Sequence, residues 1–418
     1  MKRTMIICNI LMVAATLLSA CGLEEGGGNG KTPKEREDIP LTKVQQQIGY
    51  NANSFTFDFL EAACAKEAEG TNLFLSPFSI QMALAMTAAG AAGDTQQEMY
   101  SALGFDNFTG EDVSGFYRTL IPALQGVDNT TAFEIANSFW SKDCIVIKDD
   151  YKNDIRGSFF AEVRTLPGDP QTAAGQVNGW CNEKTHGMIP KIVDEVPEST
   201  VVALMNAIYF KGMWEDPFDK NLNTQDKFTC RNGNKVTTTF MNNTFENARV
   251  YNDEFVEAMS VPYGNGAFAM TLVVPRTGVT PEKVLAGLDA DTWADYRDGG
   301  KTYRTYFSMP RFDEEYAAEK LCIDILKEMG MKKAFTSAAD FSAMSNTPLC
   351  IDEIRHKAKI KVDEEGTEAA AVTYIGMRET SVGPVGNIFY FKADRPFLYF
   401  ISERSTGAIL FAGIKQSF

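Results

Sequence analysis

The stretch that decides the fold lies near the C-terminus, where residues 361–382 read KVDEEGTEAAAVTYIGMRETSV. It starts as a strand, because apolar and charged side chains alternate along Ile360-Lys361-Val362. Gly366 then permits a backbone bend that other residues resist. From there, every second side chain is small or apolar, namely Thr367, Ala369, Ala371, Thr373, Ile375 and Met377. This alternation predicts a strand with one buried face.

The end of the same stretch has the opposite character. Arg378-Glu379-Thr380-Ser381 is polar and is followed by Gly383-Pro384, which is typical of an exposed loop tip. The segment therefore combines features of a loop with features of a buried strand. Composition alone fits a plain Ala-rich helix or linker equally well.

Four motifs in a fixed order resolve this ambiguity in favour of a known family. The segment EEGTEAAA at 364–371 resembles the hinge of the reactive-centre loop of serpins. NLFLSPFSI at 72–80 is similar to the family's entry into its second helix, and NAIYFKGMW at 206–214 to its central-strand signature. DRPF at 394–397 through FAG at 411–413 resembles its C-terminal signature.

The resemblance covers about residues 50–418 and implies an α+β fold in one domain. That fold has three β-sheets, eight to nine helices and an exposed reactive-centre loop. The implied function is inhibition of serine proteases by a trap. A protease attacks the loop and forms an acyl-enzyme, and the cleaved loop then enters the main sheet as a new central strand.

The resemblance also implies the site residues. The hinge comprises Glu364, Gly366, Thr367, Glu368, Ala369, Ala370 and Ala371. Counting from Gly366 as in the family puts the reactive bond at Thr380-Ser381, with Arg378-Glu379 as the alternative. A polar shutter beneath the sheet is implied for Ser76, Ser79, Asn206 and His356, and a breach position for Trp214. Each of these five also fits an ordinary role in a static core.

The bond residues predict the target class. A small residue before the bond suits elastase-like proteases, whose specificity pocket is shallow. Arg378 offers trypsin-like proteases an alternative bond, Arg378-Glu379, which makes them the second expected target class. Cysteine proteases are a further possible target class. The alternative function is a non-inhibitory serpin that acts as a substrate or binding module. The inward positions between Thr367 and Thr373 hold no bulky, charged or proline residue, which favours the inhibitor.

The sequence does not favour an enzyme. The chain has two histidines, His186 and His356, and neither lies in a G-x-S-x-G elbow. His186 follows a predicted helix, where a cation is favourable. No C-x-x-C pair is present, and no metal or cofactor is predicted. The six cysteines after residue 21 lie mostly beside apolar residues, which favours buried free thiols, although disulfides stay open.

Charge and the N-terminus predict the partners and the location. The net charge of −15 gives no electrostatic reason to bind nucleic acid. Residues 1–20 have a basic start and a short apolar run, and LSAC at 18–21 resembles a bacterial lipobox. This implies a lipoprotein signal peptide over residues 1–20 that is cleaved before Cys21, and a lipid on the Cys21 thiol; the alternative is a simple secretory signal in which the cysteine occurs by chance. We expect a flexible tether over residues 21–49 and the serpin domain over 50–418. The expected protein is a monomeric cell-envelope lipoprotein of the outer membrane, either facing inward or exposed at the surface, with only its lipid in the membrane.

Three element predictions depend on local pattern alone. Helical spacing of apolar residues predicts a helix over Asn51–Glu69, capped by Asn51 or Asn53. The nearly continuous apolar run Val201–Lys211 predicts a strand buried on both faces. Inward-facing apolar residues predict another helix over Glu315–Met329.

Overall fold

The computed structural model describes residues 33–318, 321–367 and 387–418. Nine α-helices lie in these ranges: α1 Lys43–Lys66, α2 Pro77–Ala88, α3 Gly93–Ala102, α4 Gly110–Gly126, α5 Asp149–Ser158, α6 Pro170–Lys184, α7 Pro281–Leu285, α8 Ala290–Asp298 and α9 Leu321–Glu328. The described strands are β1 Leu73–Leu75, β2 Ala132–Ser141, β3 Glu162–Thr165, β4 Val202–Met213, β5 Thr224–Thr229, β6 Lys235–Asn252, β7 Val256–Tyr263, β8 Phe268–Pro275, β9 Lys301–Pro310, β10 Phe312–Ala317, β11 Lys357–Val362, β12 Gly366–Thr367, β13 Ile388–Lys392, β14 Phe397–Glu403 and β15 Ile409–Lys415. The predicted α+β class is confirmed.

One sheet has six strands in the order β10-β11-β12-β4-β2-β3. Its neighbours are antiparallel except for the parallel pair β2 and β3. The two-residue strand β12 belongs to the predicted hinge, and it lies between β11 and β4. This part of the hinge is therefore inside the sheet rather than beside it.

The second sheet has nine strands in the order β1-β15-β14-β8-β7-β6-β9-β13, with β5 paired to β6. Three sheets were expected, and the described residues form two hydrogen-bonded networks. The reason is the length of β6, which pairs with β5 and β9 along most of its course and with β7 at its end. Two of the expected sheets are thereby continuous.

The main core lies around α2, which contacts β4 of the first sheet and β15 of the second. Nearly every residue of α2 is buried, because the sequence PFSIQMALAMTA provides no polar face. Ser76 caps this helix by accepting a hydrogen bond from the backbone N–H of Ser79 at 3.2 Å. On the other face of the sheet, α6 packs against β2 and β4 through Val177 and Trp180.

The folded region begins earlier than predicted. Thr42 caps α1 in a capping box with Gln45, so residues 43–49 are helical rather than part of a tether. Upstream, the N–H of Ile39 donates to Ser405 Oγ at 2.9 Å, and the Ile39 side chain is buried. Residues 1–32, with Cys21, lie outside the described residues. Among the described helices, none has both the length and the apolar run needed to cross a bilayer.

Two further predictions need correction. Residues Glu315–Ala317 belong to β10, because pairing with β11 holds this segment extended, and the described part of the predicted helix is Leu321–Glu328. The six cysteines are all free, and three of them are buried: Cys181, Cys230 and Cys322. Cys144 and Cys350 are exposed, so burial was wrongly expected for these two.

Candidate functional site

The site starts at the hinge, where Gly366 and Thr367 fill the space between two strands. Thr367 pairs with Val362 of β11 on one side and with Gly212 of β4 on the other. Its side chain is 3% exposed, and its hydroxyl lies 2.5 Å from the hydroxyl of Tyr263. The first hinge residues are thus already part of the sheet.

Only glycine fits immediately before Thr367. A Cβ on Gly366 would lie 2.0 Å from the carbonyl oxygen of Gly212, and the φ angle of Gly366 is 157°. Gly212 itself is constrained, because a Cβ there would lie 3.0 Å from rings of Phe210 and Tyr263. Gly366 lies opposite Met213, and Gly212 lies opposite Thr367 in the next pair, so one glycine on each strand lets the backbones of β12 and β4 approach closely.

Trp214 supports this end of the sheet from below. Its indole stacks on Tyr263 with ring centroids 4.3 Å apart and an interplanar angle of 13°. The indole N–H donates to the backbone carbonyl of Asp363 at 2.9 Å. The backbone N–H of Trp214 donates to the backbone carbonyl of Glu365 at 3.0 Å. The predicted breach tryptophan therefore lies directly under the hinge.

The first residue of the predicted hinge, Glu364, is firmly anchored. Glu364 is 2% exposed and accepts hydrogen bonds from Asn223 Nδ2 at 2.5 Å and from Arg311 at 3.4 Å. Its backbone carbonyl accepts from Phe218 at 2.9 Å. Since this residue is fixed by three partners, any rearrangement of the loop must begin after it.

The four predicted shutter residues form one continuous hydrogen-bonded chain. The backbone N–H of Ser76 donates to Nε2 of His356 at 3.0 Å, and the Ser76 hydroxyl donates to the carbonyl of Leu410 at 2.7 Å. The Ser79 hydroxyl donates to Oδ1 of Asn206. The Asn206 amide in turn donates to Asn137 Oδ1 at 2.7 Å.

Burial keeps His356 neutral. Its Nε2 accepts a hydrogen bond, and desolvation lowers the pKa of the imidazole to about 4. Below pH 6.5 the imidazole of His356 is therefore protonated in the unfolded chain but stays neutral in the folded protein until the pH approaches 4. Stability from this group is complete above pH 6.5 and is lost as the pH falls towards 4.

We expect acidification from pH 7.5 to 5.0 to remove about 2 kcal/mol of unfolding free energy through His356. Urea unfolding at both pH values, compared between wild type and His356→Gln, measures this contribution. The variant should lose less stability than the wild type over the same interval. Parallel losses in the two proteins would show that His356 does not stay neutral in the fold.

A cleft of about 380 Å³ lies beside these residues, between β4 and residues 348–359. Ser76, Asn206 and His356 all line it. Among the described residues, β4 has a paired strand on this side only at Gly212 and Met213. This explains why Val202–Asn206 are half-exposed, whereas the apolar run predicted burial on both faces.

The predicted residues that the structure describes contact two residues that were not predicted. Tyr263 contacts Thr367 and Trp214, and Asn137 bonds to Asn206. Their only signal in the sequence was a tyrosine and an asparagine inside apolar strands. Other predicted residues lie outside the described part of the chain, namely Glu368, Ala369, Ala370, Ala371, Arg378, Glu379, Thr380 and Ser381. The one other histidine, His186, follows the end of α6 and lies 3.1 Å from Glu134.

Comparison with known proteins agrees with this geometry. The family model "Serpin (serine protease inhibitor)" matches residues 50–416. An uncharacterized serpin-like protein of Thermococcus kodakarensis is 32% identical, with 99% of this chain and 98% of that protein aligned. Iripin-2 of Ixodes ricinus is 31% identical over 90% of this chain and 94% of its own length.

A solved structure shows the same fold. The thermophilic serpin tengpin in its native state superposes with a TM-score of 0.80 at 28% identity, and the match covers 92% of this chain and 98% of tengpin. The family match, the relatives and the position of the hinge in the sheet agree. This chain therefore belongs to the serpins, a family of protease inhibitors and not of enzymes.

Proposed function

We propose that this chain is an inhibitory serpin that traps serine proteases. The observation that carries the proposal is the position of Gly366 and Thr367, paired between β11 and β4 at the head of the sheet cleft. A cleaved loop that continues from Thr367 has an open strand edge in front of it. Elastase-like proteases are the first expected targets, and trypsin-like or cysteine proteases the second.

The register set by Thr367 supports insertion of the predicted face. Thr367 pairs with Gly212, so the same antiparallel register would bring Ala371 opposite Ile208 and Thr373 opposite Asn206. Met377 would come opposite Val202. Residues directly opposite in an antiparallel pair point to the same face. The small and apolar side chains would then enter the core, and Thr373 would meet the polar shutter.

The chemistry needs no catalytic group from this chain. The protease serine hydroxyl attacks the carbonyl carbon of Thr380, and the peptide bond to Ser381 breaks. The Ser381 amine takes up the proton and leaves, and an ester joins Thr380 to the protease. Insertion then competes with hydrolysis of that ester.

Strand insertion provides the driving force. The inserted segment exchanges water contacts for ladder bonds on two sides. Roughly a dozen bonds at about 0.5–1.5 kcal/mol each stabilise the product by on the order of 10 kcal/mol. A difference of this size makes insertion effectively irreversible.

Incubation with a panel of serine and cysteine proteases tests the proposal directly. A denaturing gel reveals a covalent complex, and mass spectrometry of the released peptide identifies the bond. Cleavage of the loop without any stable complex would favour the second candidate, a serpin that serves as a substrate or binding module.

The bond itself is tested by two variants. We expect Thr380→Arg to gain at least tenfold in its rate of trypsin inhibition, because the primary pocket of trypsin binds a basic side chain. Arg378→Ala should keep its inhibition of elastase-like enzymes. If Arg378→Ala inhibits no protease that the wild type inhibits, the reactive bond is Arg378-Glu379.

We also propose that the protein is a monomeric lipoprotein of the outer membrane, attached through Cys21. The support is the LSAC motif after a short apolar run. Metabolic labelling with a fatty acid should mark the wild type and leave Cys21→Ser unlabelled. Equal labelling of both proteins would contradict the anchor.

A further inference from the structure

The outer face of the edge strand β13 carries an unusual exposed aromatic pair. The rings of Tyr306 and Tyr390 stack with centroids 5.2 Å apart and an interplanar angle of 17°. Tyr390 is 72% exposed, and Ile388 and Leu222 beside the pair are 48% and 55% exposed. We call these four residues the tyrosine platform.

The exposure follows from the strand register. Tyr390 pairs with Tyr306 in the parallel ladder of β13 and β9, and the next pair along is Phe391 with Phe307. Side chains alternate between faces, so the two phenylalanines enter the core while the two tyrosines face solvent. Core packing explains the phenylalanines but gives no reason for the exposed tyrosines.

The platform is flanked by charges that are already paired. Lys392 Nζ lies 2.5 Å from Asp226, and Arg304 lies 3.3 Å from Glu246. Between them, Tyr306 and Tyr390 line a shallow depression of about 400 Å³ together with Leu222. A surface with an aromatic centre and a neutralised polar rim has the chemistry of a protein-binding patch.

We propose that the tyrosine platform is a second contact surface for the attacking protease, and that it binds an uncharged, partly apolar surface of that enzyme. The proposal rests on the inhibitory function argued above. It assigns to the platform a part in selecting the target, independent of the residues at the reactive bond.

The length of chain between the reactive bond and the platform selects the protease as the occupant. Ile388 follows Thr380 by eight positions in the chain, a distance of at most ~28 Å when fully extended. A protease of roughly 230 residues has a radius of gyration of ~17 Å and is therefore ~45 Å across. The protease is therefore wider than the distance from Thr380 to the tyrosine platform. When the enzyme is joined to Thr380, its surface lies within reach of the two tyrosines.

The test compares the double variant Tyr306→Ser/Tyr390→Ser with the wild type. The matched control is Phe255→Ser, which removes another exposed aromatic ring, in the turn between β6 and β7. The second-order rate constant for inhibition, the stoichiometry and the melting temperature are measured for each protease that the wild type traps. We expect the double variant to react about tenfold more slowly with at least one protease. Its stoichiometry and melting temperature should equal those of the wild type, and Phe255→Ser should react at the wild-type rate.

Other outcomes separate this inference from the function on which it rests. A wild type that traps no protease overturns the proposed function itself. A wild type that traps proteases, with unchanged rates in the double variant, overturns only the platform. If the rates are unchanged but the wild type sediments as a dimer and the double variant as a monomer, a second copy of this chain occupies the platform instead.

Discussion

Thr367→Arg is expected to convert the protein from an inhibitor into a substrate. Thr367 is 3% exposed and lies between β11 and β4 with its hydroxyl against Tyr263. An arginine there must bury an unpaired charge or hold the hinge out of the sheet, at a cost of several kcal/mol. Each ~1.4 kcal/mol on the insertion barrier slows insertion about tenfold, so hydrolysis of the acyl-enzyme wins.

The measurement is the fraction of protease trapped on a denaturing gel at increasing ratios of inhibitor to enzyme. The variant should be cleaved at the same bond as the wild type while the covalent complex falls at least tenfold. Thr367→Ser keeps the hydroxyl and is the matched control, for which near wild-type trapping is expected. Trapping by Thr367→Arg at the wild-type stoichiometry would refute the role of this hinge position.

Cleavage of the loop is expected to raise the melting temperature by roughly 10–15 °C, given about 10 kcal/mol of new strand pairing. In the intact protein, β4 pairs with β2 along one edge, but among the described residues its other edge, which faces the cleft, has no paired strand along Val202–Lys211. Cleavage frees the chain after Thr367 to enter the cleft and to pair with that edge. The cleaved sample is prepared with a protease that cuts the loop without being trapped. Calorimetry of the intact and the cleaved protein then measures the shift in melting temperature.

The variant Thr367→Arg supplies the control for this experiment as well. Its cleaved form should melt close to its intact form, because the entry point is blocked. A wild type whose melting temperature does not change on cleavage would argue against insertion and for the non-inhibitory alternative. A shift of equal size in both proteins would show that insertion does not start at Thr367.

Sequence alone determined the features that depend on local backbone geometry. Gly366 was recognisable from its type as a position where the backbone can bend, and the small residues after it follow the two-residue period of a strand. The start of α2 was equally predictable, because Ser76 and Pro77 are cap and first-turn residues. Such requirements involve neighbours in the chain and are visible as residue types at fixed spacing.

Tertiary structure decided the features that join distant parts of the chain. The partner of Thr367 is Tyr263, 104 residues away, and the partner of Asn206 is Asn137, 69 residues away. The same is true of Glu315–Ala317, where an apparent helix became a strand because β11 offers a ladder partner. Strand order determines which side chains meet, and no local period records it, so the contacts made by the predicted breach and shutter residues, and the cleft beside them, became visible only in the folded chain.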